Sequence, residues 1–379
     1  MLISILGLTR RVGLTLGILI ILATAACGLA TAQHSPRASS PPSPMASLSP
    51  SSNISAPDGS LVQQLADEVS NASAMKHLQA LQKIADEHGG NRAAGTSGYD
   101  ASVQYVLGEL RRAGFRVSTP TFESSDGDDE DTNGPQRNVI AQTSTGDPDH
   151  VVMIGAHLDS VEDGPGIVDN GSGVATVLEI ATKLGSKPAV RNMVRFAFFG
   201  DEESGAVGSS AYVEGLSAGD RNKIKLYLNV DMVASPNGGY FVQGGDPARA
   251  SGWRRFLPGH ESDPETIGPP GSATIGRMLA DQLAKTGVKD PEIIEFVGDD
   301  ESPFIEAGIP VGGAESGDDE EKTRRQARAW GGQAGEVYDP CYHEACDTID
   351  NVNRELLDHY MRAIPGTLAH FAISTERRR

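Results

Sequence analysis

Apolar residues recur along residues 61–375 with two alternating periods. From Met75 to His88, Leu78, Leu81, Ile84 and Ala85 fall at helical spacing, and Gly89-Gly90 ends the run. Asp100 to Ala113 repeats the pattern with Val103, Val106, Leu107 and Leu110, before Gly114. After Gly171-Ser172-Gly173, the residues Val174, Val177, Leu178, Ala181 and Leu184 form one stripe of a third helix, Val174 to Leu184. Short apolar runs bounded by turn formers predict buried strands at His150 to Ala156, Met193 to Phe199, Lys225 to Val230 and Ile309 to Gly313. Helices alternating with buried strands predict an α/β fold, a three-layer sandwich with a mixed, mostly parallel central sheet. No internal repeat interrupts this alternation.

The first 60 residues break the pattern. Arg10 and Arg11 precede an uncharged apolar run from Val12 to Ala26. As a helix it spans roughly 22 Å, short of the ~30 Å core of a bilayer. A signal peptide over residues 1–27 fits better than an anchor. Thr24-Ala25-Ala26-Cys27 resembles a bacterial lipobox, with Thr24 where Leu is usual, and Thr9-Arg10-Arg11 loosely resembles a twin-arginine signal. Cys27 is thus either a lipidation site or a residue lost with the leader. Residues 28–60, with Pro36, Pro41, Pro42, Pro44 and Pro50, read as a Ser/Pro-rich stalk ahead of one domain over 61–375. The run of acids and serines from Glu123 to Asp131 reads as a solvated loop.

Charge and cysteines narrow the class. Of 379 residues, 51 are acidic and 32 basic, a net charge of −19 that excludes a phosphate-binding surface and so nucleic acid. There are three cysteines. With Cys27 lipidated or removed, Cys341 and Cys346 are close enough in sequence to close a small disulfide loop, which an exported protein can keep.

Chemistry-bearing residues gather where the predicted strands end, the place where open α/β sheets bind ligands. One strand delivers His157, with Asp159 two residues on; imidazole suits zinc, and a nearby carboxylate can fix its tautomer. Asp169-Asn170-Gly171 leads into a helix and reads as a cap, or as a carboxylate able to bridge two metals. Asp201-Glu202-Glu203 follows an apolar strand, where like charges need a cation or proton between them. Asp231 ends another strand and, taken alone, reads first as a turn former. Tyr342 and His343 lie inside the proposed disulfide loop, which is either a staple or a rigid mount. Two histidines with three to four carboxylates suit zinc, and two-metal hydrolases hold such ions roughly 3.5–4 Å apart.

These segments, with Gly89-Gly90-Asn91-Arg92, Pro310-Val311-Gly312-Gly313 and Trp330-Gly331-Gly332, resemble the M28 metallopeptidases from about Ala74 to Ala372. Within that family the chain is similar to secreted Streptomyces-type two-zinc aminopeptidases. The resemblance implies the phosphorylase/hydrolase-like fold of zinc-dependent exopeptidases and two zinc ions. His157 and Asp231 would bind one, Glu203 and His343 the other, with Asp169 as the bridge. It also implies that Glu202 is the general base, that Asp159 orients His157, that Tyr342 stabilises the oxyanion, and that Cys341 pairs with Cys346. The substrate would be a peptide with a free N-terminus, cleaved one residue at a time. The protein would be an extracellular monomer, meeting a membrane only through lipid on Cys27.

The chain departs from the family's pattern around the substrate pocket. Gly298-Asp299-Asp300-Glu301 stands where relatives carry Arg-Ser-Asp-His, so only Asp300 keeps the acid. Glu315 replaces an aromatic that lines an apolar pocket, and Asp318, Asp319, Glu320 and Glu321 follow. This predicts tolerance of Lys or Arg as the first residue of the substrate, unless the acidic stretch is solvated and clear of the pocket. The competing readings are a carboxypeptidase or glutaminyl cyclase on the same scaffold and a catalytically dead binding module. A carboxypeptidase needs a cationic clamp, a cyclase needs only one zinc, and a dead module has lost ligands or base.

Overall fold

The computed structural model describes residues 60–124, 135–245 and 268–374. The expected leader with Cys27, the stalk as far as residue 59, positions 125–131 of the acidic run and residue 375 lie outside the described residues. Ser60, assigned to the stalk from its composition, already opens a helix.

The described chain begins with α1 (Ser60–Glu68), α2 (Asn71–Glu87) and α3 (Ser97–Arg112). Helix α2 starts where Ser70 caps the amide of Ser73, and α3 where Thr96 caps that of Tyr99; such caps contribute about 1 kcal/mol each. Their predicted stripes face inward, with Leu78, Leu81, Val103 and Val106 wholly buried. Four short strands follow: β1 (Val117–Ser118), β2 (Thr121–Phe122), β3 (Gln136–Arg137) and β4 (Val139–Gln142). Next come β5 (Asp147–His157), α4 (Gly171–Leu184), β6 (Asn192–Phe199), α5 (Val207–Gly215), α6 (Ala218–Lys223) and β7 (Ile224–Val230). The remainder holds β8 (Phe241–Gln243), α7 (Ser272–Lys285), β9 (Glu292–Ile294), α8 (Ser302–Glu306), β10 (Val311–Glu315), α9 (Arg324–Trp330) and α10 (Arg354–Ile373).

Eight strands form one sheet in the order β1-β4-β6-β5-β7-β10-β8-β9, and β2 pairs with β3 apart from it. The central strands β6, β5, β7 and β10 are mutually parallel. Strands β4 and β8 run antiparallel to their inner neighbours. The sheet is therefore mixed with a parallel centre. Pleating sends alternate residues to opposite faces. Val152, Ile154, Phe196, Phe198 and Leu228 pack with α2, α3, α4, α7 and α10. Met153, Ala197, Phe199 and Tyr227 pack on the other side with Val213 of α5 and Phe304 of α8. These are the three layers that the strand pattern predicts. The last predicted strand begins at Val311 rather than Ile309, because Pro310 has no amide hydrogen for the ladder.

The parallel centre decides where a site can form. Strands β5, β6 and β7 end on one edge, with His157 in register with Phe199. Directly after β6, a Cβ on Gly200 would stand 2.0 Å from the Tyr99 hydroxyl. The chain can turn from β6 towards Glu202 in that space only as glycine.

Candidate active site

His157 is the last residue of β5 and is 1 % exposed. Its Nε2 lies 3.2 Å from Asp169 Oδ1, 3.5 Å from Asp231 Oδ1 and 4.0 Å from Glu202 Oε2. Its Nδ1 faces Asp159 Oδ1 at 3.6 Å. The other oxygen of Asp169 lies 3.2 Å from His343 Nε2, which is also 3.0 Å from Glu203 Oε2. Two donor groups result, His157 with Asp169 and Asp231, and Asp169 with Glu203 and His343. Asp169 belongs to both and turns one carboxylate oxygen to each.

Long-range hydrogen bonds hold these donors. The Asn170 carboxamide caps α4 through the Gly173 amide at 2.9 Å, donates to the Val230 carbonyl at 2.9 Å and accepts from the Met232 amide at 3.2 Å. It thereby ties the Asp169 turn to the segment bearing Asp231. The Asp347 carboxylate accepts the amides of Val168 and Asp169 at 2.8 and 3.0 Å. Asp347 stands one residue after Cys346, and Cys341 and Cys346 are disulfide-bonded with Cα atoms 5.3 Å apart. The loop that presents Tyr342 and His343 is thus pinned to the backbone of the shared carboxylate. His343 itself, Asp201 next to Glu202 and Met232 next to Asp231 each have a φ between 50° and 59°. Non-glycine residues in that left-handed region store strain and cluster at functional sites. Asp159 Oδ2 accepts the Glu203 amide at 3.3 Å, linking the ends of β5 and β6.

The electrostatics are those of acids crowded around two imidazoles. Burial lifts the Glu202 carboxyl well above the usual carboxylate range; His157 pulls it down, while Asp300 and Asp231 push it further up. Burial and the neighbouring Asp169 raise Glu203 to about 7. Burial opposes ionisation of Asp169, yet hydrogen bonds from His157 and His343 hold it below its ordinary value. Burial would lower His157, but Asp231, Asp159 and Asp169 together hold it well above normal. Asp169 and Glu203 raise His343 to about 10. Asp231 Oδ1 and Glu203 Oε1 are buried without a hydrogen-bond partner. Excess negative charge, converging nitrogen and oxygen donors and orphaned carboxylate oxygens all fit divalent cations, and the donor set suits zinc.

A cavity opens over this cluster, lined also by Met232, Val297, Asp299, Glu315, Asp318 and Tyr342. Tyr342 stacks on His343 with ring centroids 3.8 Å apart. Glu315 sits at the end of β10, where its Oε2 accepts from Gln243 at 3.3 Å. Burial, then Asp318, raises it to about 8. From the Gly298–Glu301 turn it is Asp299 that lines the cavity. Asp300 is fully buried beyond it, close enough to raise the Glu202 carboxyl. Sequence spacing does not tell these neighbours apart. Asn170 caps α4, as one reading of the sequence has it, but its bonds to Val230 and Met232 and the Asp347 clamp carry no signal there, because those partners lie far along the chain.

Fold and side chains together are those of an α/β protein with a histidine–carboxylate centre at its strand ends. The chain belongs to Peptidase family M28, whose model matches residues 138–367. It is 40% identical over 317 residues to leupeptin-inactivating enzyme 1 of Streptomyces exfoliatus, covering 82% of this chain and 64% of that protein. It is 44% identical over 282 residues to the probable lipoprotein aminopeptidase LpqL of Mycobacterium tuberculosis, covering 72% of this chain and 53% of that one. The chain thus spans less than two thirds of the length of either relative. Its fold is shared with BSAP, a zinc aminopeptidase from Bacillus subtilis, at a TM-score of 0.58 and 17% identity, covering 79% of this chain and 94% of that one. A glutaminyl cyclase from Porphyromonas gingivalis has the same fold, with TM-score 0.56, 21% identity and coverage of 80% and 98%.

Proposed function

We propose that this chain is a two-zinc aminopeptidase that removes the N-terminal residue of peptides. The observation that carries the reading is the pair of donor groups sharing Asp169, each with one histidine. His157 and Asp231 would hold one ion, Glu203 and His343 the other, and Asp169 would bridge. Two zinc ions, when bound there, supply Lewis acidity that lowers the pKa of water and polarises a carbonyl.

This chain's residues do the rest. The raised, buried Glu202 carboxyl stands at the cluster, placed to accept a proton from the attacking water and return it to the leaving amine. Tyr342 lines the same cavity and would donate its hydroxyl to the developing oxyanion. Glu202 and Asp231 would receive the substrate's α-ammonium group, which limits cleavage to the first peptide bond. Glu315, Asp318 and Asp299 would surround its first side chain and favour Lys or Arg.

The cavity's described lining holds acids and two histidines but neither Lys nor Arg. That favours a free amine over the terminal carboxylate a carboxypeptidase must clamp. The second donor group, complete in Glu203 and His343, speaks against a single-metal cyclase, and the intact ligands and base against a dead module. The relative named as a lipoprotein supports export with a lipid on Cys27; Cys27→Ala should then leave the membrane fraction. Among the described residues, no helix is long and apolar enough to cross a membrane. We take the protein to act as a monomer.

Metal content and turnover of aminoacyl-p-nitroanilides test the reading together. The expected result is two zinc ions per chain, activity lost to a chelator, and a Glu202→Ala variant that keeps zinc but is inactive. An active Glu202→Ala protein removes the base assignment, and one ion per chain removes the two-metal centre.

A further inference from the structure

Arg92 is a large, fully buried cation that none of the steps above uses. It lies between α2 and α3, outside the cavity lining, and among the described residues no carboxylate is bonded to it. Its guanidinium instead donates to three backbone carbonyls. Nε reaches the Pro165 carbonyl at 2.9 Å, Nη2 the Gly166 carbonyl at 2.5 Å, and Nη1 the Leu158 carbonyl. Its own amide donates to Ser160 Oγ at 2.9 Å. All four acceptors belong to the segment from Leu158 to Gly166, which runs between His157 and Asp169. Leu158 separates His157 from Asp159, and Gly166 accepts the Gly171 amide at the start of α4.

The segment is wrapped tightly on this group. Gly166 has a φ of 60°, and a Cβ there would stand 3.0 Å from Arg92 Nη2 and 2.4 Å from both the Asp169 carbonyl oxygen and Ser160 Cβ. Three carbonyls bonded by the three nitrogens of one fork are a demand that guanidinium meets and an ammonium does not. The charge is also sited usefully. Asp159, Asp347, Asp169 and Glu203 all act on Arg92 by Coulomb attraction, opposing the burial that lowers its pKa. The cation therefore attracts these carboxylates from outside the cavity lining and offsets their mutual repulsion without being one of the donors.

Resting on the two-zinc reading, we propose that Arg92 is a positioning residue for the metal centre. It fixes the backbone between His157 and Asp169, so that the imidazole and the shared carboxylate are set at one geometry before metal arrives. A buried arginine serving only to fill the core would affect stability alone. One that positions ligands must also set the affinity of the folded protein for the ion.

The test compares the parent protein with Arg92→Lys, Arg92→Met and the milder Ser160→Ala. Zinc affinity and stoichiometry are measured by competition with a chromophoric chelator, beside thermal melting of the metal-free proteins and kcat and KM on one substrate. Changes to groups that orient ligands cost about 10–100-fold in metal affinity or activity. Arg92→Lys should stay folded, lose zinc affinity by about that factor and lose kcat at nearly unchanged KM; Arg92→Met should lose more. Should neither fold, Ser160→Ala, which leaves the guanidinium in place and removes the bond to the Arg92 amide along with the hydroxyl's bonds to the Val161 and Gly164 carbonyls of the same segment, should still weaken zinc binding measurably. Folded variants that melt lower yet bind zinc as the parent does would overturn the proposal, as would unchanged zinc binding in Ser160→Ala if it is the only folded variant. A parent that binds no zinc would overturn the two-zinc reading instead, so the two failures are told apart.

Discussion

Replacing Glu315 by glutamine removes one charge from the cavity and almost no volume. An ammonium about 4 Å from an ionised carboxylate gains roughly 4 kcal/mol at an effective dielectric of about 20. Glu315, however, is raised to about 8, first by burial and then by Asp318. At pH 7 it must therefore be ionised one unit below that value, which costs roughly 1.4 kcal/mol. The remainder is roughly 2.6 kcal/mol, inside the 1.5–3 kcal/mol range of a hydrogen bond to a charged group and equal to about 80-fold. Metal binding would neutralise the Asp231 contribution, but burial, the largest cause, would stay. The assay is the ratio of kcat/KM for Lys-p-nitroanilide over Leu-p-nitroanilide, in which effects common to both substrates cancel. Since pairing needs the ionised carboxylate, the parent's ratio should rise from pH 6 through about 8 and then level. Glu315→Gln should lower the ratio by about 80-fold at pH 7, by several-fold more at pH 8 and above, and make it flat with pH. An unchanged ratio in Glu315→Gln, or a large Leu preference in the parent, would mean that the acidic stretch does not face the substrate's first side chain.

Three further outcomes follow from the geometry. Chelation should abolish turnover and lower the melting temperature, with zinc restoring both; a ligand at 100 times its Kd stabilises by about 2.7 kcal/mol. Tyr342→Phe should lower kcat by about 10²–10³ with little change in KM, the effect of one oxyanion donor, and rapid kinetics on a single substrate would show it. Asp347→Asn should weaken the bonds from Val168 and Asp169, costing about 1–3 kcal/mol in urea unfolding and also lowering zinc affinity.

The legible part of the sequence was the part built on short-range pattern. The stripes of α2, α3 and α4 and the runs of β5, β6 and β7 have clear periods. Acids and histidines placed just past those runs are therefore placed at one edge of the sheet. Helix α10 was not read, because Pro365 lies inside it and proline ordinarily ends a helical pattern. Strands β1, β8 and β9 have two or three residues each, too few for a period to show. Asn170, Asp347 and Arg92 escaped for another reason. Asn170 reads as a cap and Arg92 as one residue of the Gly89-Gly90-Asn91-Arg92 match, while Asp347 only follows Cys346; the distant backbone groups that each one bonds come near only when the chain is folded. Asp300 and Asp299 are neighbours in a turn, and only the turn's geometry decides which one faces the cavity.

The bond from Asp347 to the backbone of Val168 joins positions 179 apart in sequence. It makes the two halves of the centre different in when they can exist. His157, Asp169 and Asp231 are all present once the chain has been made as far as β7. Glu203 waits for His343, and the Asp169 turn waits for Asp347, until the disulfide loop near the C-terminal end has docked. A growing or partly unfolded chain can thus gather one of the two donor groups but not both. On the proposed two-zinc reading, peptide cleavage would wait until that last segment is in place, and completing the fold would itself be the activation step.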